Sequence, residues 1–521
     1  MTAVARVRPE TILRGWLMFK AASLLTIYEI IFTDIRGLAS KNPEMDFWPV
    51  YSQILFKLFM LTTGKLGFWG LTALVFGLMV GVGIYNLPQN MAAAASPVSV
   101  FLAWIITAAG ILPLVLAFKW LSDKYPQYNA GIYQYAQAGF GNYVGFNIAW
   151  GYWLCTAFSN VAYGVMLNDS FGAFFPALLN HGWETVVFGS ALIWLMYFIV
   201  ARGIKTAKII NTLLAVVKVV MLIFIIIAFI LLFNIDTFCA DLSAASGLSS
   251  PTGEQIKSTM MVTLFCFFGV EGAVMMSARA KKASDVGKAG IAGFGISLVL
   301  YMAVSLLCYG LLSQAALSQL PDPSIAYILK ETCGAWAYWF VIGAVIVSLI
   351  GGWVAWTLVV AQVPYEAALV GILPPSFKKT NDKGMPTFGL VASSIVMELF
   401  LLLVVMADDV YLAALHITGL MIIPCYLFTG LFLLKKADNL RIKTIATITT
   451  AFCLWMAYAG GLLGMFMTSV FYLTGIGFYI KARKSIAKPS QPLFTKKEKW
   501  LLYALILASA VTLVLLYRQF A

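Results

Sequence analysis

Residues 81–88, with the sequence GVGIYNLP, combine two glycines and a proline inside an apolar segment long enough to cross a membrane. Gly81 and Gly83 flank Val82, and Pro88 follows. This spacing weakens a helix and frees backbone N–H and C=O groups that hydrocarbon cannot satisfy. Such a break persists where it lines a cavity, which in transporters is usually the substrate site. The alternative is a glycine contact between two packed helices.

A second candidate break occurs at Phe268-Gly269, and Glu271 follows it directly. Interrupted segments in corresponding positions of two halves indicate a transporter binding site, so this pairing favours transport. An ionisable group at membrane depth is costly and needs a reason. Glu271 is interpreted either as a proton-sensitive gate or as a structural carboxylate held by hydrogen bonds.

Three further side chains inside apolar segments could bind a substrate or carry charge. Lys218 could supply a fixed positive charge or a proton, and snorkelling of its ammonium to the interface is the alternative. A cationic side chain could stack on Trp356, although core packing explains a lone tryptophan equally well. Asn160 requires a hydrogen-bond partner in either case.

The elements that must position these residues are membrane-spanning helices. The chain has 521 residues, of which 61% are hydrophobic and only 11% charged, whereas soluble domains carry about 25% charged residues. A spanning helix needs about 20 apolar residues, which predicts an all-α polytopic membrane protein with twelve or thirteen spans after residue 66. The breaks fall in spans 1 and 6, which predicts a five-plus-five inverted repeat with both of these helices broken.

The net charge of +13 does not indicate nucleic-acid binding, because lysine and arginine concentrate in alternate loops. This positive-inside pattern places the Lys/Arg-rich loops, such as the one with Lys281 and Lys282, in the cytoplasm. The seven cysteines show no metal spacing, and the sequence leaves a disulfide between Cys239 and Cys333 open. The chain has no P-loop, so an ATP-driven pump is disfavoured.

Three regions follow from this pattern. Residues 1–60 form an N-terminal extension whose apolar part is interrupted by charges, so it is either an interfacial helix or an untranslated stretch before a start at Met60. Residues 61–436 form a ten-helix transport core, and residues 437–521 add spans 11–13.

Several motifs together resemble the amino acid–polyamine–organocation superfamily, and more narrowly its basic amino acid/polyamine antiporters. The resemblance covers residues 61–521 and includes a thirteenth span. It is carried by GVGIYNLP at 81–88, YPQYNAGIY at 125–133, GYW at 151–153, SNVA at 159–162, FGVEGA at 268–273 and GGWVAWTL at 351–358.

The resemblance implies how a substrate is held. The backbone at Gly81, Val82 and Gly83 binds its carboxylate, and carbonyls at 265–268, which include those of Phe265, Cys266 and Phe268, accept its ammonium. Trp356 stacks on its guanidinium and separates the site from the cytoplasm. Asn160 makes a further polar contact.

The resemblance also implies gates and coupling. Phe265 matches a gating aromatic, and Tyr152 and Glu271 match a hydrogen-bonded outer gate. Lys218 resembles a lysine that occupies a sodium-site position in related carriers, which argues for sodium independence. Two departures concern the substrate: Val82 stands where serine is usual, and Phe265 replaces a tryptophan.

These features predict a bacterial inner-membrane antiporter that exchanges arginine for ornithine or agmatine. It needs no cofactor and no metal, and its partners are a small amino acid or amine and membrane lipid, with no nucleic acid. The sequence leaves a homodimer open. The alternatives are a proton-coupled permease for a neutral amino acid and a transport-dead sensor.

Overall fold

The computed structural model describes residues 67–128, 131–243, 250–275, 280–407, 409–486 and 492–520, and their regular structure is helical. The predicted extension 1–60, including Met60, lies outside the described residues.

The long helices are numbered here as spans in chain order, and two shorter helices precede spans 3 and 8. Span 1 consists of Phe68–Met79, a 3-10 turn Val82–Ile84 and Leu87–Ala92, and span 6 consists of Thr252–Cys266 and Gly272–Met275. The others are span 2, Pro97–Lys124; span 3, Asn142–Gly172; span 4, Trp183–Ala201; span 5, Ile204–Leu232; span 7, Ala283–Leu307; span 8, Ala335–Leu369; span 9, Thr387–Val404; span 10, Val410–Lys436; span 11, Leu440–Ala459; span 12, Leu462–Leu473 with Ile476–Ile486; and span 13, Lys496–Phe520. The preceding helices are Ile132–Phe140 and Ser324–Cys333.

The structure agrees with the predicted polytopic fold. Nine helices in the described ranges are long and apolar enough to cross a membrane, and span 5 with the bent helix after it makes a tenth. In spans 1 and 6, the helix on each side of the break is too short to cross a membrane alone. Span 3 is long but less apolar than those nine helices. Almost all of its residues are buried inside the protein, so little of it faces lipid and it need not be strongly apolar.

The two halves of the core pack as an inverted repeat. Span 5 packs on span 8, and the corresponding span 10 packs on span 3; spans 2 and 7 also pack on each other. Gly141 and Gly334 connect the preceding helices to spans 3 and 8, with φ and ψ of 101° and 175° in the first and 91° and 179° in the second. Only glycine adopts this backbone readily, so the same hinge occurs at corresponding points of both halves.

The basic loops after spans 2, 6 and 10 lie on one face of the molecule. Lys124, after span 2, forms an ion pair with Asp438, after span 10. Lys435 donates to the carbonyl of Gly139, just before span 3, at 2.7 Å. The start of span 7 reaches the same face, since a Cβ on Gly287 would lie 2.1 Å from Cγ of Lys119.

A capping carboxylate attaches span 13 to the core. Glu498 accepts the backbone N–H of Thr495 at 2.8 Å and donates its own N–H to the Thr495 hydroxyl at 3.3 Å, a capping box at the start of span 13. Its other oxygen accepts the N–H of Tyr143, in the first turn of span 3, at 2.9 Å. One buried side chain therefore caps two helices.

Replacing Glu498 by glutamine is expected to lower the thermal stability of the protein. An amide has one acceptor oxygen, so one of the two helix N–H groups loses its partner, at a cost of about 1–3 kcal/mol. Thermal unfolding in detergent, followed by size-exclusion chromatography, measures the change. Glu254→Gln is the matched control, because Glu254 forms only an exposed ion pair with Lys257. Equal melting temperatures for E498Q and the control would show that the double cap is unimportant.

Candidate functional site

A small cavity lies where the two broken helices meet. Residues from spans 1, 3, 6 and 8 line it: Leu78, Met79, Gly81, Val82, Gly83, Ser159, Tyr163, Phe265, Cys266, Phe268 and Trp356. Seven of the predicted binding residues are in this lining, and they come from both breaks. The breaks therefore meet at a cavity and do not merely allow two helices to pack closely.

Two side chains satisfy the carbonyls that the break in span 1 frees. The first helix ends at Met79, and the Tyr301 hydroxyl of span 7 donates to the Met79 carbonyl at 2.7 Å. The ammonium of Lys218 donates to the Val80 carbonyl at 2.7 Å and to the Gly77 carbonyl at 3.4 Å. Lys218 thus binds the end of a helix, where a positive charge is favourable, and it does not snorkel.

Glycine is required at position 81 for steric reasons. A Cβ at this position would lie 2.2 Å from the hydroxyl oxygen of Tyr163. The backbone can therefore approach span 3 closely and turn into the 3-10 helix Val82–Ile84. The first N–H groups of a helix have no partner within it, so the amides of Val82 and Gly83 are donors at the cavity.

The break in span 6 is a run of tight turns. The N–H groups of Phe267, Phe268 and Val270 each donate to the carbonyl three residues earlier. Gly269 has a φ of +101°, and a Cβ on it would lie 3.0 Å from the carbonyl carbon of Leu78. None of these turns uses the carbonyl of Cys266, which remains an acceptor beside the cavity.

Aromatic rings close two sides of the cavity. Phe268 and Trp356 stack with ring centroids 4.8 Å apart and planes within 10°. Phe265 comes before the break in span 6, and its ring lies 3.2 Å from the point where a Cβ on Gly83 would be. Phe265 thus lies in the helix before the break, and the Phe268 ring of the stack lies within the break.

Glu271 is held by two tyrosines. Tyr152 of span 3 donates to one carboxylate oxygen at 2.8 Å, and Tyr426 of span 10 donates to the other at 2.7 Å. Glu271 is fully buried. The Tyr426 ring packs on Phe118 of span 2 with centroids 6.3 Å apart, and both residues lie in the halves of their helices that carry Lys124 and Lys435, so this cluster lies towards the face of the basic loops. The resemblance implies a hydrogen-bonded gate of Tyr152 and Glu271, and these two side chains are hydrogen-bonded in the structure.

Asn160 is the one predicted binding residue that does not line the cavity. Its amide group donates to the Thr156 carbonyl at 2.7 Å, and its oxygen accepts from the Thr357 hydroxyl at 3.4 Å. The sequence does not predict Tyr163, Tyr301 and Tyr426, because a tyrosine in a chain that is 14% aromatic gives no distinguishing signal. The spacing of Tyr163, eleven residues and about three helical turns after Tyr152, is the one available clue.

Comparisons with known proteins show which family the chain belongs to. A family model described as amino acid permease matches residues 66–506. The arginine/agmatine antiporter of Chlamydia trachomatis serovar D is 37% identical over 470 residues, which are 87% of this chain and 97% of that protein. The arginine/agmatine antiporter of Chlamydia felis is 38% identical over 455 residues, 84% of this chain and 93% of that protein.

Among solved structures, the manganese transporter of Eremococcus coleocola has a TM-score of 0.54 at 14% identity, covering 87% of this chain and 94% of that one. At this identity the likeness concerns the fold alone. The family match spans most of the chain and confirms the resemblance found in the motifs. The chain belongs to the amino acid permease family, within the amino acid–polyamine–organocation superfamily.

Proposed function

We propose that this protein is an antiporter that exchanges arginine for ornithine or agmatine across a bacterial inner membrane. The observation that carries the proposal is the cavity between two broken helices, with backbone donors on one side and a tryptophan on the other. Relatives that align with almost their full length are named arginine/agmatine antiporters, which supports the choice of substrates.

In the proposed binding mode, the amides of Val82 and Gly83 hold the substrate carboxylate. Carbonyls of the span 6 break, with that of Cys266 among them, accept its ammonium. The side-chain guanidinium stacks on Trp356, since a cation is attracted to the face of an indole. Asn160, bonded within the protein in this conformation, would need to turn its amide to contact substrate.

Exchange then requires two barriers that open alternately. On the side of the basic loops, which we assign to the cytoplasm, the Phe268–Trp356 stack and the Glu271 cluster block the route. On the other side, Phe265 covers the site. Rocking of the broken spans would open one barrier while the other stays closed, and Lys218 would move with the end of the first half-helix of span 1.

One observation favours a proton-coupled permease for a neutral amino acid as the second candidate. The cavity lining, as far as the structure describes it, includes no acidic side chain to pair with a cationic substrate. Val82 and Phe265 are also less polar than the residues usual in the resembling antiporters. Both candidates use the same backbone site and differ in side-chain recognition and coupling.

Counterflow in proteoliposomes distinguishes the two candidates. Labelled arginine is expected to enter only vesicles loaded with arginine, ornithine or agmatine, because an antiporter returns only when loaded. Uptake of a neutral amino acid into empty vesicles under an imposed proton gradient would favour the permease. If no amino acid is transported or shifts the thermal stability, both proposals fail.

A further inference from the structure

The hydroxyl of Tyr163 is a polar group in the cavity that makes no hydrogen bond. Tyr163 belongs to span 3, is 2% exposed and lines the cavity. Its hydroxyl lies near the amide of Val82 and the indole of Trp356, but no partner satisfies hydrogen-bond geometry. A buried hydroxyl without a partner is costly, which indicates that a ligand supplies the missing bond.

The Tyr163 ring packs directly against the backbones of two glycines. A Cβ on Gly81 of span 1 would lie 2.2 Å from its hydroxyl oxygen, and a Cβ on Gly352 of span 8 would lie 2.8 Å from its Cε1. Any larger residue at either position would force the ring to move. The hydroxyl is therefore preorganised beside the first amides of the 3-10 turn.

The surroundings of this hydroxyl determine which ligand group it can bind. The Val82 amide and the Trp356 indole are donors, so neither can accept the hydroxyl proton. Ser159 also lines the cavity and its hydroxyl can accept, but it makes no hydrogen bond with the tyrosine hydroxyl. The side chains of Met79 and Phe265 are apolar or at most weak acceptors. The partner of the hydroxyl must therefore be an acceptor, and a carboxylate gives the strongest hydrogen bond.

We propose that Tyr163 donates a hydrogen bond to the carboxylate of the amino acid substrate and so distinguishes amino acids from amines that lack this group. The hydroxyl replaces the side-chain contact that Val82 cannot make. This inference rests on the proposed function, because it assumes that the cavity binds an amino acid. The substrate carboxylate would then be bound by the amides of Val82 and Gly83 and by the Tyr163 hydroxyl.

The test compares arginine with agmatine, which carries the same guanidinium but no carboxylate. In proteoliposomes, Tyr163→Phe is expected to raise the KM for arginine about tenfold to a hundredfold, since a hydrogen bond to a charged group is lost. The KM for agmatine should remain within twofold of the wild-type value. Tyr309→Phe is the matched control, because the Tyr309 hydroxyl is buried, donates to the Ala95 carbonyl at 2.7 Å and lies outside the cavity.

Two results would overturn the inference: an equal rise in KM for arginine and agmatine, which indicates a structural role, or no change for either ligand. A wild-type protein that transports neither ligand refutes the proposed antiporter instead. The same comparison, made with a neutral amino acid that the wild type accepts and with its decarboxylated amine, then decides the role of Tyr163 independently.

Discussion

The Trp356→Leu protein is expected to fold and insert normally but not to exchange arginine. Trp356 is 3% exposed and stacks on Phe268 at the floor of the cavity. Leucine has no π face, and losing a desolvated cation–π contact of about 2 kcal/mol weakens binding roughly 30-fold. Leucine also leaves a gap beside Phe268, so the barrier towards the basic loops no longer closes around a bound substrate.

Counterflow of labelled arginine measures this effect, and size-exclusion chromatography confirms that the variant is folded. Trp356→Phe keeps an aromatic ring and should retain part of the exchange. Trp339→Leu is the matched control in the same span, because Trp339 is 49% exposed on the surface of the helix and should exchange normally. Normal exchange by W356L would show that substrate does not stack on this ring.

Replacing Lys218 by methionine is expected to slow exchange tenfold or more. Methionine has a similar length, but it donates no hydrogen bond to the Val80 and Gly77 carbonyls. Each carbonyl left without a donor costs about 1–3 kcal/mol, and each 1.4 kcal/mol shifts an equilibrium about tenfold. The broken conformation of span 1 then becomes a minor state, and the binding site is rarely formed.

Arginine self-exchange, measured in sodium or in choline buffer, tests the role of Lys218. The wild type should exchange equally in both buffers, because the ammonium already occupies the position at the end of the helix. K218M should be slow in both, and Lys379→Met, which changes an exposed lysine, should behave as the wild type. A K218M protein with wild-type rates would mean that the contact with Val80 is dispensable. A wild type that requires sodium would contradict the fixed-charge interpretation.

The sequence predicts the backbone of the site better than its side chains. Glycines and ionisable residues are rare and costly inside apolar helices, so Gly81, Gly269, Lys218 and Glu271 are conspicuous in the amino-acid sequence. Each of them has a steric or electrostatic reason for its position in the fold. The all-helical polytopic fold and the length of span 8 also follow from apolar patterning, which the lipid environment imposes.

The side-chain partners could not be predicted in the same way. Tyr426 and Tyr301 reach the site from spans 10 and 7, and such contacts depend on how the helices cross. Tyrosine is tolerated on any buried face of a membrane helix, so its presence gives no location. Asn160 shows the opposite case: a buried polar residue that could contact a ligand finds its partners in its own helix and in span 8.

The matching backbones at Gly141 and Gly334 have a consequence for the free energies of the two end states of the transport cycle. If the two halves were identical, the inward-facing and outward-facing states would have the same free energy, since each would be the other viewed from the opposite side. The resting preference of the protein must therefore come from side chains that differ between the halves. Changing such a ratio from 1:99 to 99:1 takes about 5.5 kcal/mol. A few contacts that differ between the two halves are thus sufficient to decide to which side of the membrane the empty site opens.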